Sequence, residues 1–507
     1  MRGADLVAKT LARAGVRQLF ALSGNHVMSI FDAAIDAGVG ILHVRQEAAA
    51  VHMADAWGRI TEEPGIALVT GGPGHANAVP ALYTALAAES PLVLLSGHAP
   101  LAELGRGAFQ EMRQAEMAAP VAKASWTSRS AETLGEDLAL AMRMARAGRC
   151  GPVHVSLPSD LLEEQVQAQI PEPQAFAADP PSADPKEIDA LLDRLAAASR
   201  PLVIAGPLHA RGSRQALASQ FEQESGIPVI AMESPRGVND PALGLLAEVL
   251  RRADLVVLAG KSPDFMLKFG AAFSVECTLV PAEGDLRPWI ARRRRWPRSG
   301  WCEEVRSALA WRPAAWATLS SGPGEAPHPV EVSRAVQRLL DGPDAVLVAD
   351  GGEFGQWAQA TLRASHRIIN GPAGSIGAAL PLAAAAKLAL PGSNVVAMLG
   401  DGTFGFHAAE IDTAVRYGLG YVALVGNDAR WNAEYQIQLR AYGAERARGC
   451  ELLPTRYDLV AEGFGAHGEF VRRADELPAA LGRALAAGRV ACLNVEIEGA
   501  AAPVYRR

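Results

Sequence analysis

Apolar positions recur along this chain in two registers. Near the N-terminus, Leu6, Val7 and Leu11 share one face of a helical period while Lys9 and Arg13 lie off it, which predicts an amphipathic helix. Short apolar runs follow at residues 18–22, 41–44, 66–70, 92–96 and 153–157, separated by stretches of helical period. That alternation is the signature of βαβ units in a doubly wound, mainly parallel sheet. Residues 163–186, rich in Pro, Ala and acids, break the pattern and read as a linker. A second set of strand-like runs occupies 201–205, 228–231, 254–260 and 278–281. A Pro-, Gly- and Ser-containing stretch from 311 to 329 ends it, and a third set follows at 345–349, 394–399, 421–425 and 492–497. The expected fold is α/β, with three doubly wound domains at residues 1–165, 187–312 and 329–507. Three domains also suit 507 residues, at roughly 150 residues per domain.

Composition changes this picture little. The net charge of −7 argues against a nucleic-acid partner. The five cysteines (Cys150, Cys277, Cys302, Cys450, Cys492) are scattered and form no CxxC, so they read as thiols in a reducing compartment. No basic-then-apolar leader is visible at the start, and no apolar run approaches the roughly 20 residues that span a bilayer. A cytoplasmic protein with no membrane partner is expected.

The most informative stretch is 394–431, NVVAMLGDGTFGFHAAEIDTAVRYGLGYVALVGNDARW. A strand ends at Gly400-Asp401-Gly402, a helix follows, and the next strand delivers Asn427. Gly400-x-Gly402-x-x-Gly405 also matches a dinucleotide fingerprint, and a lone Gly-Asp-Gly is often only a tight turn. Asp401 opposes the nucleotide reading, because a carboxylate in a metal-free phosphate loop would repel the phosphates. The conflict disappears if Mg²⁺ lies between Asp401 and a diphosphate. Mg²⁺ takes six oxygens, and Asp401, the Asn427 side chain and the Ala429 carbonyl can supply three of them. Asp401 and Asn427 come from the ends of successive strands, where such sheets bind ligands.

This segment resembles the cofactor motif of the thiamine-diphosphate enzymes, Gly-Asp-Gly followed after a helix and a strand by Asn-Asn. Here the pair is Gly426-Asn427, so the first Asn is absent and the metal-ligating second is kept. The resemblance implies thiamine diphosphate and Mg²⁺ as cofactors. It makes the first block a pyrimidine-binding domain, the middle one a central domain and the last a diphosphate-binding domain.

Thiamine chemistry needs a carboxyl hydrogen-bonded to the cofactor's pyrimidine ring, with a pKa raised by desolvation. Glu47 in HVRQEAAAVHMADAWGR resembles the family's activating glutamate. Taken alone, it is also a first-turn Glu of the kind a helix dipole favours. In the family this glutamate faces the diphosphate site across a subunit interface, which implies a homodimer or a tetramer. The turn Thr70-Gly71-Gly72-Pro73-Gly74, with Asn77 one turn into its helix, matches the loop lying against the pyrimidine; its plain reading is a βα turn. At 371–377, the resemblance assigns the Gly374 carbonyl and the Ile376 amide to the pyrimidine. It also makes the Ile376 side chain the wedge that bends the cofactor. Gly352, Glu353 and Phe354 match a second diphosphate loop, and Gly400, Gly402 and Thr403 complete the first.

On the substrate side, Asn25, His26 and Gln110 sit where acetolactate synthases, benzaldehyde lyase and 2-hydroxyacyl-CoA lyases carry substrate-facing residues. Trp431 is placed to wall the pocket. A lone His or Gln is more often a satisfied structural group. The style of the chain, including FQEM and EIDTAVR, resembles the acetolactate-synthase-like group. The first expectation is a decarboxylase and carboligase acting on a 2-oxoacid and a second carbonyl such as an aldehyde. The second is a lyase of 2-hydroxyacyl-CoA or 2-hydroxyketones, with Arg292–Arg295 beside Trp289 and Trp296, or Arg251 and Arg252, to meet CoA phosphates. A third is a non-catalytic cofactor-binding homologue, against which the retained Glu47 speaks. FAD is given room by the resemblance but is not favoured, since the middle block is short.

Overall fold

The computed structural model describes residues 1–178, 184–292 and 300–505. Arg293–Arg295 and Trp296 of the basic run lie outside them. The chain divides into two compact units, residues 1–180 with 384–389, and residues 181–383 with 390–507.

The first unit holds a six-stranded sheet: β1 (Gln18–Ala21), β2 (Gly40–His43), β3 (Gly65–Val69), β4 (Leu92–His98), β5 (Ala124–Thr127) and β6 (Pro152–Pro158). The order is β2-β1-β3-β4-β6-β5 and every pairing is parallel. The inner strands β3, β4 and β6 are buried along their whole length, as strands covered by helices on both faces must be. The helix Gly3–Arg13 turns Leu6, Val7 and Leu11 into this core. The expected linker does not start at 163. Arg2 bridges Gln165, the Val166 N–H bonds to the Met1 carbonyl, and Val166 and Phe176 are buried. Those apolar side chains each recover on the order of 1.5–3 kcal/mol by leaving water. Lys123 caps the end of the helix Leu134–Arg146, its Nζ donating to the Met144 and Ala147 carbonyls at 2.6 Å each.

The second unit carries two sheets. The smaller has β7 (Pro201–Ala205), β8 (Val229–Ala231), β9 (Leu255–Ala259) and β10 (Thr278–Ala282), ordered β10-β9-β7-β8. The larger has β11 (Val346–Ala349), β12 (His366–Ile369), β13 (Val395–Gly400), β14 (Val422–Asn427), β15 (His467–Val471) and β16 (Ala491–Glu496). Its order is β12-β11-β13-β14-β16-β15, again parallel throughout. The two sheets of this unit are tied by Arg367 of β12 to Glu233 at 2.6 Å, and by Arg312, which donates to the Ala242 and Ala360 carbonyls. Three mainly parallel α/β sheets are the architecture expected from the sequence.

Candidate active site

In the larger sheet of the second unit, β13 ends at Gly400, whose extended backbone caps the helix Asp401–His407. Asp401 is 3 % exposed. Its Oδ1 accepts the Gly402 N–H at 2.9 Å and its Oδ2 the Arg430 N–H at 3.1 Å. Asn427, the last residue of β14, donates through Nδ2 to the Thr455 carbonyl and Asn494 Oδ1. Its Oδ1 accepts the Ala429 N–H at 3.2 Å and has a second lone pair to offer. Ala429 has φ +53°, a left-handed conformation unusual for a residue with a side chain and of the kind that gathers at functional sites. Its carbonyl takes the Leu452 N–H at 2.7 Å and keeps a second lone pair. Burial pushes the Asp401 carboxyl up to about 6 and that of Asp428 up to about 7, the latter also through Asp401's charge. Two desolvated acids side by side favour a cation or a proton.

A cavity of about 70 Å³ opens beside Asp401. Gly352, Glu353, Phe354, Ile376, Gly400, Gly402, Thr403 and Trp431 line it, as does Asp428. Gly374, Asn427 and Ala429 do not line it, although the last two flank Asp428. The glycines have distinct reasons. A Cβ on Gly402 would lie 2.7 Å from the Trp431 ring, and one on Gly426 would lie 2.6 Å from the Phe354 ring. The missing first Asn of the motif is thus explained within the chain, because Phe354 fills the space above Gly426. Cβ atoms on Gly400 and Gly352 would meet nothing within 4 Å, and Gly352 has φ +85°. Glu353 turns its carboxylate to Arg236 and the Ala502 N–H, leaving the main chain of its loop toward the cavity as the available group.

The first unit gathers the other candidates. Gln46 caps the helix Glu47–Thr61, accepting the Ala48 and Ala49 N–H groups, which places Glu47 on the first turn. Asn77 Nδ2 donates to Glu47 Oε2 at 3.1 Å. Glu47 is half-buried rather than enclosed, with Ala49, Ala50 and Val51 buried next to it. Gly74 gives it room, since a Cβ there would stand 3.4 Å from Glu47 Oε1 and 2.7 Å from Thr70 Cγ2. His26 is buried, bonds through Nδ1 to Thr70 Oγ1 at 3.2 Å and stacks on Phe109. Burial, and to a lesser extent nearby His98, lowers its pKa, so it is neutral near pH 7. Gln110, at φ +58°, lies against Gly72, where a Cβ would come within 2.7 Å of the Gln110 carbonyl oxygen. Asn25 is exposed on the short turn Asn25–Val27. Gly71 packs closely on the end of β4, since a Cβ there would stand 2.8 Å from the Gly97 carbonyl oxygen.

Three supports of the site are made by contacts that a reading of the sequence does not show. Gln114 is 1 % exposed; its Oε1 takes the Gly72 N–H at 2.7 Å and its Nε2 donates to the Gly97 carbonyl and Ser156. Thr70 meets His26 from 44 residues away, and Asp350 behaves similarly in the second unit. Thr70 and Asp350 stand beside loops that the sequence marks, whereas Gln114 opens the helix Gln114–Ala118, 42 residues from the turn it holds. Of the arginines weighed for CoA, Arg252 pairs with Glu304 and lies over Trp301, Arg251 bonds the Ala247 carbonyl, and Arg292 pairs with Asp189. Trp289 is core.

Two family profiles match the chain: the thiamine pyrophosphate enzyme N-terminal TPP-binding domain over residues 1–117, and the corresponding C-terminal TPP-binding domain over 350–495. The chain is also 33 % identical over 531 residues to the acetolactate synthase large subunit IlvG of Mycobacterium tuberculosis, covering 98 % of this chain and 95 % of that protein. The chain belongs to the thiamine pyrophosphate enzymes. It is 30 % identical to 2-hydroxyacyl-CoA lyase 2 of Homo sapiens (94 % of this chain, 86 % of the relative) and 29 % to the catabolic acetolactate synthase of Raoultella terrigena (95 % and 92 %). It is thus a thiamine-diphosphate-dependent enzyme of the acetolactate synthase and 2-hydroxyacyl-CoA lyase group, a carboligase or lyase. Among the described residues, no helix is long and apolar enough to cross a membrane.

The residues present fit a diphosphate with a hard cation. Gly352 and Gly400 leave open space at their loops, and the donors beside them are oxygen atoms of a buried carboxylate, an amide and a carbonyl.

Proposed function

We propose that this thiamine-dependent enzyme works with Mg²⁺ and acts as an acetolactate-synthase-like decarboxylase and carboligase on a 2-oxoacid. The observation that carries the metal is the meeting of Asp401, Asn427 and Ala429 at the ends of β13 and β14, held by the Arg430 and Ala429 N–H groups. Asp401 Oδ, Asn427 Oδ1 and the Ala429 carbonyl are the protein ligands in this reading. The main chain at Gly352–Phe354 and Gly400–Thr403 receives the diphosphate. Gly71, Gly374 and the Ile376 amide meet the pyrimidine end. The pyrimidine-binding half is residues 1–165 and the diphosphate-binding half 329–507.

When bound, thiamine diphosphate would supply a nucleophilic carbon and an electron sink for the bond next to a substrate carbonyl. The chain's own groups do the rest. Glu47 holds and exchanges a proton at its carboxyl, with Asn77 Nδ2 fixing Oε2 so that Oε1 stays available. His26, neutral and held by Thr70, and Gln110 offer polar groups to the substrate oxygen, while Trp431 excludes water beside Gly402. Asn25 stands at the rim. The active unit is a homodimer or tetramer in which the Glu47 half of one subunit serves the Asp401 half of another. The protein is cytoplasmic in this reading, and FAD is not required.

The test is CO₂ release from pyruvate by metal-stripped protein supplied with thiamine diphosphate and Mg²⁺, beside a Glu47→Gln variant. Release by the wild type and its loss in the variant support the reading. Cofactor binding without release shifts it to the lyase reading, which the similarity to 2-hydroxyacyl-CoA lyase 2 favours, and to 2-hydroxyacyl or 2-hydroxyketone substrates.

A further inference from the structure

The Asp350 carboxylate, 2 % exposed at the end of β11, is spent entirely on main-chain N–H groups. Its Oδ1 accepts Gly351 N at 2.7 Å and Gly377 N at 2.9 Å, and its Oδ2 accepts Ala379 N at 3.0 Å. One side chain thereby joins the loop that leads into Gly352–Phe354 to the loop that carries Gly374 and Ile376. His407, at the far end of the helix that Asp401 opens, completes the knot: its Nδ1 donates to the Gly377 carbonyl at 2.6 Å. Both backbone groups of Gly377 are therefore pinned, the N–H by Asp350 and the C=O by His407.

The contacts around this knot leave no slack. A Cβ on Gly351 would stand 2.6 Å from Ile376 Cγ2, and one on Gly377, at φ +87°, would stand 2.3 Å from Phe406 Cβ. Real Cβ atoms do not approach so closely, so the Ile376 and Phe406 side chains rest directly on the glycine backbone of Gly351 and Gly377, and neither position admits a side chain of its own. Behind Asp350, a Cβ on Gly355 would fall 1.9 Å from the Asp350 carbonyl oxygen, which seats the helix Gly352–Thr361 against the same residue. The segments that meet here are those assigned above to opposite ends of one ligand: Gly352 and Asp401 to its diphosphate, Gly374 and Ile376 to its pyrimidine.

We infer that Asp350 and His407 are positioning residues that fix the spacing between the diphosphate subsite and the pyrimidine subsite, so that a ligand spanning both gains from binding at its two ends together. A two-ended ligand gains this way only while the spacing of the subsites matches its own length, and loses the gain when one subsite drifts. Neither residue touches the ligand in this account. The inference rests on the cofactor reading given above.

The experiment compares a two-ended probe with a one-ended probe. Binding of thiamine diphosphate with Mg²⁺, and of inorganic pyrophosphate with Mg²⁺, is measured by titration calorimetry on the full chain and on Asp350→Asn. In the variant an amide N–H confronts one of the three backbone N–H groups. Thiamine diphosphate is expected to bind about tenfold or more weakly, and pyrophosphate within about twofold of wild type. His407→Leu serves as the second variant if Asp350→Asn does not fold, with the same split expected. His407→Asn, whose amide N–H is placed much as Nδ1 is, should restore it. Equal loss of both probes, or no loss of either, would overturn the spacing role. A wild type that binds neither probe would overturn the cofactor reading instead, and this inference with it.

Discussion

The first and third sheets have the same strand order, β2-β1-β3-β4-β6-β5 and β12-β11-β13-β14-β16-β15, yet their loops carry different chemistry. After β3 the chain turns through Thr70-Gly71-Gly72-Pro73-Gly74, uncharged and tied by Gln114. After β13, at the equivalent place, stands Gly400-Asp401-Gly402, with a carboxylate 3 % exposed. After β2 comes Glu47, half-buried and held by one amide. After β12 comes the apolar Ile376, whose following N–H, that of Gly377, is held by Asp350. On the reading proposed above, one topology carries two kinds of site, a proton-exchanging carboxyl in one copy and a cation-and-phosphate cradle in the other. The fold sets where a loop emerges, and the two or three residues on it set what it does.

If that division of labour is right, the two acids fail in different ways. Asp401→Ala should abolish Mg²⁺-dependent binding of thiamine diphosphate, on the order of a thousandfold in affinity and read by titration calorimetry, since a charged ligand in the innermost shell is lost. Glu47→Gln should leave that affinity within severalfold while lowering turnover by roughly 10²–10⁴, the usual range for a general acid–base group. A Glu47→Gln variant that loses cofactor affinity as Asp401→Ala does would erase the contrast. Asn77→Ala sharpens it further: one hydrogen bond to a partly exposed carboxylate is removed, and turnover should fall about tenfold with the cofactor affinity kept.

A smaller effect separates the two sheets by stability. Behind the Gly72 turn, the His75 and His154 rings lie 4.5 Å apart, tilted by 45°, and share Ser96 Oγ. Burial pushes His75 down to about 4 from its ordinary 6.5, and His154 also falls well below its ordinary value. Between those two pKa values of His75 the unfolded chain takes up the proton and the folded chain does not. Stability from His75 is therefore complete above about pH 6.5 and is lost as pH falls toward 4, by about 3 kcal/mol. Urea unfolding of the wild type and of His75→Gln at several pH values reads it. The wild type should lose more stability than the variant on acidification, and parallel curves would remove His75 as the cause.

The inner strands were legible in the sequence because burial on both faces demands continuous apolar runs, as at 92–96, 153–157 and 394–399. The three strands that the pattern did not reveal, β5, β12 and β15, are all sheet edges. Their residues are largely half-covered, and ASWT, HRII and HGEFV mix polar with apolar accordingly. The cofactor motif was legible for a similar reason: Asp401 and Asn427 sit at strand ends, where spacing along the chain maps onto spacing in the sheet. The supports of the site were not legible. Gln114 reaches Gly72 across 42 residues and Gly97 across 17, and Asp350 reaches Gly377 across 27. Such partners are made by tertiary packing and leave no periodic trace. The lone Gly426 shows the same point in reverse, since a departure from the family pattern made sense only once Phe354 was seen against it.

The most direct test of the account is calorimetric titration of thiamine diphosphate into metal-stripped wild-type protein, with and without Mg²⁺. Binding should need the cation, because Asp401 and the diphosphate otherwise meet as like charges. Equal affinity in the presence and absence of Mg²⁺ would contradict the assignment of Asp401, Asn427 and Ala429 as its ligands.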